Sequence, residues 1–179
     1  MLRKFLSRSL PMLGLLSLLA CQPEPPVSPF AMTDALKQDR SVLQSARGYF
    51  GHQSVGGDIM NGVADILRAG GTQLPLLELQ TVTPLPDAFL LHMPVGRNSE
   101  PKTKCDDFKR IVDQELAGRI DYALFKFCYI DIGDDTDVEP LFAYYRSVLD
   151  GLKARHPDIT FIHVTTALRD AAAGQLVGL

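Results

Sequence analysis

Apolar and polar positions along the chain change period several times, and each change marks an element. Residues 33–46 carry Leu36, Val42 and Leu43 in a narrow helical stripe, with Thr33 or Asp34 placed to cap its start. Residues 48–53 read as a short strand. From Ser54 the period becomes helical: Ile59, Val63, Ile66 and Leu67 share one face, and Gly70 with Gly71 ends the run. Residues 74–82 form a Leu-rich second strand, stopped by Pro84 and Pro86. Residues 83–103 read as one long loop, broken by Pro84, Pro86, Pro94, Gly96 and Pro101, and a loop of that size in a compact domain is often functional. Phe108, Ile111, Val112 and Leu116 then mark a helix that Gly118 closes. Residues 122–130 are nearly all apolar, as suits a strand buried on both faces, with Lys126 as the exception. Leu141, Phe142, Tyr145, Val148, Leu149 and Leu152 predict a further helix, ended by His156 and Pro157. Residues 159–164 predict another strand, and residues 167–179 the start of one more helix.

Strands that alternate with helices imply right-handed crossovers and a mainly parallel α/β sheet. Ligands of such sheets lie beyond the carboxyl ends of the strands. Those ends carry Ser54, the long loop after Val82 and Asp131. The length, 179 residues, fits one such domain after an N-terminal leader.

The leader changes the picture of where the protein works. Arg3, Lys4 and Arg8 precede an apolar stretch, residues 10–20, too short to span a bilayer as a stable helix. It ends in Leu18-Leu19-Ala20-Cys21, which resembles a bacterial lipobox. That resemblance implies a signal peptide over residues 1–20, a lipidated Cys21, a Pro-rich tether over residues 21–32 and a domain over residues 33–179. The protein would then be a lipoprotein of the bacterial cell envelope, held to a membrane through its N-terminal lipid and facing the periplasm or the exterior. The other reading is an ordinary signal peptide cleaved near Ala20. A net charge of −3, with no block of Lys or Arg in the body of the chain, argues against a nucleic-acid partner. Cys105 and Cys128 could form one disulfide or remain buried thiols. No Cys-x-x-Cys or paired-His spacing occurs, so neither a metal nor a cofactor is expected.

Candidate chemistry gathers at the predicted strand ends. Ser54 opens a helix, where it could serve as a cap or act as a nucleophile; unpaired N–H groups there favour a developing oxyanion. His52, two residues earlier, is a candidate base, substrate contact or rim residue. Gly96 and Asn98 could donate to an oxyanion, and Arg97 could pair with a carboxylate or phosphate. Residues 131–139 resemble a calcium loop only in composition. Counting from Asp135, Pro140 stands where an EF-hand needs Gly, and Arg146 where it needs Glu. Asp131, at the expected strand end, is the stronger site candidate. His163 reads as a core histidine with one hydrogen bond.

The element order and these loops resemble the SGNH (GDSL-type) hydrolases, a family of esterases and acyl hydrolases with a three-layer α/β/α, flavodoxin-like layout. Phe50-Gly51-His52-Gln53-Ser54-Val55-Gly56 takes the place of the family's Gly-Asp-Ser block, with Gly and Ser kept and Asp absent. Gly96 takes the order of the second-block glycine, with Asn98 as a neighbour. The third block, Gly-x-Asn-Asp, is matched either by Cys128-Tyr129-Ile130-Asp131 or from Gly133, and neither register supplies its Asn. No Asp-x-x-His occurs in the chain. The resemblance spans about residues 48–168. It implies a serine hydrolase of ester or acetyl groups on small molecules, glycans or lipids, with Ser54 as nucleophile. It also implies a last strand, helix and catalytic histidine beyond residue 179, so that an exposed sheet edge and aggregation are expected without them. The alternative is a non-catalytic or truncated binding lipoprotein. A flavodoxin-like nucleotide binder is disfavoured because "GHQSVGG" has neither phosphate-cradling glycine pattern.

Overall fold

The structure, a computed structural model, describes residues 34–78 and 84–166, all within the unit Met32–Leu179. The leader, Cys21, the tether, Thr33, residues 79–82 of the second predicted strand and the helix expected from residue 167 lie outside the described residues. Among the described residues no helix is long and apolar enough to cross a membrane.

The elements run α1 Asp34–Leu43, β1 Arg47–His52, α2 Ser54–Ala69, β2 Leu76–Glu78, β3 Phe89–Pro94, α3 Pro101–Ile111, β4 Tyr122–Phe125, α4 Val138–Arg155 and β5 Thr160–Ile162. A π-turn, Val112–Leu116, prolongs α3, and a 3-10 turn, Tyr129–Asp131, follows β4. The five strands form one all-parallel sheet in the order β2-β3-β1-β4-β5. This is the α/β fold expected from the alternation of elements. The four strands anticipated from the pattern keep the order 2-1-3-4, as in flavodoxin-type sheets, with β3 interposed between the first two.

Strand β1 divides the layers. Tyr49 points to one face, where it stacks on Phe108 of α3 at 5.5 Å. Phe125 of β4 shares that face and meets Phe108 at 4.7 Å and Tyr145 of α4 at 5.5 Å. Alternation sends Phe50 and His52 to the other face, where Gly56 of α2 packs directly on the His52 ring. An Arg40 guanidinium bond to the Gly70 carbonyl ties α1 to the end of α2.

Three sequence expectations need correction. Residues 83–103 are not one loop: they hold β3 and the first turn of α3. Phe89 and Leu91 are buried while Leu90 and His92 are half-buried, so this is an interior strand whose bounding prolines mask it. Pro94 ends β3 and Pro101 sits at the start of α3, where a missing N–H costs nothing. Second, the strand after Asp121 stops at Phe125. Phe127 and Cys128 are apolar because they are buried in a connecting segment. Third, α2 is rotated from the expected phase. Its buried residues are Gly56, Met60 and Leu67, and Ile59 and Ile66 are exposed. The helices around Phe108 and Tyr145 bury most of the stripes expected of them: Phe108, Ile111, Val112, Leu116, Leu141, Tyr145, Val148, Leu149 and Leu152 are all in the core, while Phe142, expected in the same stripe, is exposed.

Candidate functional site

Ser54 is the first residue of α2 and is exposed. It does not cap the helix. Gln53 occupies the N-cap in extended conformation, and no side chain caps the first turn. The Gln53 amide instead donates across the sheet edge to the Val95 carbonyl at 3.0 Å and the Gly96 carbonyl at 2.7 Å. Ser54 Oγ has no hydrogen bond among the described residues. The structure thus brings the Ser54 turn and the Gly96 loop together, through a residue that sequence reading did not single out.

His52 is 5% exposed. Its Nδ1 lies 3.0 Å from the Gln53 carbonyl and its Nε2 lies 3.1 Å from Nδ1 of His92 on β3. A carbonyl only accepts, so Nδ1 of His52 carries a proton. In the neutral ring Nε2 is then a lone pair, filled by the Nδ1–H of His92. Both nitrogens of His52 are committed, which removes it as a free base toward Ser54. His92 is the half-buried end of the pair. Burial first, and then the neighbouring His52, lower its pKa, while Glu78 opposite it on β2 pulls the other way. His92 escaped notice because its stretch reads as loop; the run Phe89-Leu90-Leu91 beside it was the available signal.

Gly96 has φ +57, and a Cβ there would strike the Lys104 backbone. Its N–H donates to Asp107 Oδ2 at 3.0 Å, so it is not free to serve as the expected oxyanion donor. Asn98 is exposed and accepts at Oδ1 from Lys104 Nζ at 3.0 Å. An ammonium can only donate, which assigns the amide orientation and leaves the Nδ2 hydrogens of Asn98 available. Arg97 pairs on the surface with Glu100.

Asp131 does not face an open site. Its carboxylate accepts from the Ser99 N–H at 2.9 Å, the Cys128 N–H at 2.6 Å and the Lys104 ammonium. The Lys104 and Asp131 side chains are both fully buried. This pair brackets the loop after β3 to the turn after β4. The signal for Lys104 was its helical phase: it lies four residues before Phe108 and seven before Ile111, on the face that buries both.

Cys105 and Cys128 are free and buried, and burial pushes the Cys105 thiol up to about 12. His163 is exposed rather than a core residue. It bonds both Tyr145 Oη at 3.0 Å and Lys153 Nζ at 3.2 Å. Among the described residues no cluster of His, Cys, Asp or Glu could hold a metal.

What emerges is an exposed serine at the start of a helix, set on the central strand of a parallel sheet. Hydrogen bonds from Gln53, and the Lys104–Asp131 pair, lock the neighbouring loops beneath it. Comparison with protein-family models, with curated proteins and with solved structures gives no match.

Proposed function

We propose that the protein is an SGNH-like serine hydrolase of ester or acetyl groups, with Ser54 as its nucleophile. The observation that carries this reading is that Ser54 heads α2 with its hydroxyl unengaged while Gln53 takes over the tethering of the turn. Attack of Oγ on an acyl carbonyl would place the oxyanion near the unpaired N–H groups of the first turn. The free Nδ2 of Asn98 is a second candidate donor. The proton of Ser54 passes to a base outside the described residues, because His52 is fully engaged with Gln53 and His92.

Purified protein should release p-nitrophenol from a short acyl ester. Ser54→Ala should abolish that release without lowering stability by more than about 0.5 kcal/mol, since an exposed residue without bonds is being changed. Unchanged turnover in Ser54→Ala would overturn the assignment. A second reading, a non-catalytic binding lipoprotein, is favoured by the engagement of both His52 nitrogens with Gln53 and His92, which takes away the candidate base nearest Ser54 in sequence. No turnover by either form would support it. Export and lipidation at Cys21 belong to the same proposal: an alkyne fatty acid fed to the producing bacterium should label the protein, and Cys21→Ala should remove the label.

A further inference from the structure

A cleft opens between α4 and residues 163–166, which follow β5, on the far side of β4 from the Ser54 strand. It encloses about 650 Å³, within the range of small-molecule sites. Its helical wall is one strip of α4. Phe142, Arg146, Asp150 and Lys153 follow one another at steps of four, four and three residues, with Tyr145 beside Arg146. Phe127 from the segment after β4 and His163 complete the lining. Phe127 and Phe142 both pack on Tyr145, with ring centroids 5.7 Å and 6.3 Å from it. The cleft therefore has a continuous aromatic wall, and Phe142, although exposed, is part of it.

The polar groups of the cleft narrow what it can take. Lys153 Nζ lies 3.2 Å from His163 Nε2, and His163 Nδ1 lies 3.0 Å from Tyr145 Oη. An ammonium only donates, so Nε2 is the lone pair of the His163 ring and Nδ1 carries its proton. That N–H donates to Tyr145 Oη, which leaves the Tyr145 O–H without an acceptor among the described residues. Tyr145 is 6% exposed, and a donor on so buried a group calls for a partner. The Arg146 guanidinium lies 6.0 Å from the Phe142 ring centroid. Among the described residues neither it nor Asp150 belongs to an ion pair. Arg146 and Lys153 against Asp150 leave one positive charge in excess, which suits a monoanion better than a phosphate dianion.

We propose that this cleft is a binding site for a small aromatic carboxylate, its ring against Phe127, Tyr145 and Phe142 and its carboxylate on the Tyr145 O–H and the Arg146 guanidinium. Aromatic side chains reward a ring by area and by the geometry of their faces. A guanidinium fork matches a planar carboxylate. The His163 ring, held by Lys153, fixes Tyr145 as a donor toward the ligand. Ser54 takes no part in this site, so the proposal and the hydrolase reading can fail separately.

The test is a titration of the full chain, labelled with ¹⁵N and ¹³C, with benzoate at constant ionic strength. Acetate, which keeps the charge, and benzyl alcohol, which keeps the ring, are titrated separately. Benzoate should give saturable shifts at the amides of residues 163–166 and at the Tyr145 and His163 ring signals, and the other two probes should bind about tenfold more weakly or worse. Arg146→Gln and Tyr145→Phe should each weaken benzoate about tenfold, the scale of one hydrogen bond to a charged group, and Ser54→Ala should leave it within about twofold. Arg146 is exposed, so Arg146→Gln keeps the test decisive should Tyr145→Phe fail to fold. The proposal is overturned if benzoate does not saturate, if acetate or benzyl alcohol binds as tightly, or if either folded variant binds benzoate as well as the unsubstituted protein.

Discussion

Gly56 has room for a hydrogen and nothing larger. A methyl group there would overlap the His52 ring, and that ring is held on both sides by Gln53 and His92. Gly56→Ala should therefore lower stability by about 1–3 kcal/mol, although alanine favours a helix interior by about 1 kcal/mol over glycine. A urea melt measures the loss, and shifted imidazole resonances would place it at His52. An increase in stability would mean that the His52–His92 pair yields easily. Asp131 shows the opposite dependence, on charge rather than space. Its carboxylate is the common acceptor for two backbone N–H groups and the buried Lys104 ammonium. Asp131→Ala strands that ammonium and should cost about 3–5 kcal/mol in the same measurement.

At the level of elements, the Asp113 carboxylate joins three pieces of the α3–α4 layer. Lys109 reaches it from α3, and Arg155 and His156 reach it from the end of α4. Burial opposes ionisation, but the hydrogen bonds from Arg155, His156 and Lys109 outweigh it and hold the pKa at about 2. A carboxylate depressed in the folded state stabilises the fold above its ordinary pKa of about 4, and that contribution is lost as pH falls toward 2. The stability gap between the unsubstituted protein and Asp113→Asn should be widest above about pH 4 and shrink toward pH 2. Denaturant melts across that range test it, and a gap that stays constant would show that the cluster does not titrate as described. The bonds across the sheet edge work in the same joining way: Gln53 ties the end of β1 to the loop after β3, and Asp131 ties that loop to the turn after β4. Apart from Lys109–Asp113, which are four residues apart, these ties join polar groups distant in sequence, so none of them follows from hydrophobic period.

Across the whole molecule, among the described residues β5 pairs only with β4, and Ile162 on it is 44% exposed. An open edge carrying an apolar side chain is a template for pairing between chains. Self-association that grows with concentration is expected in sedimentation experiments, and Ile162→Lys should reduce it without changing the helical signal. Equal association in both would place the contact elsewhere, with the exposed Val55, Ile59 and Ile66 on α2 the next surface to test. The amino-acid pattern by itself determined the α/β class, the strand before Ser54 and the helices around Phe108 and Tyr145. It could do so because burial on one face imposes a local period. Tertiary structure alone decided that residues 89–94 form an interior strand, since the bounding prolines hid a signal only six residues long. It also decided the phase of α2, which depends on what lies across from it. And it decided the fates of His52, Gly96 and Asp131: each looked available along the chain, and each is occupied by a partner, His92, Asp107 or Lys104, that only folding brings within hydrogen-bonding reach.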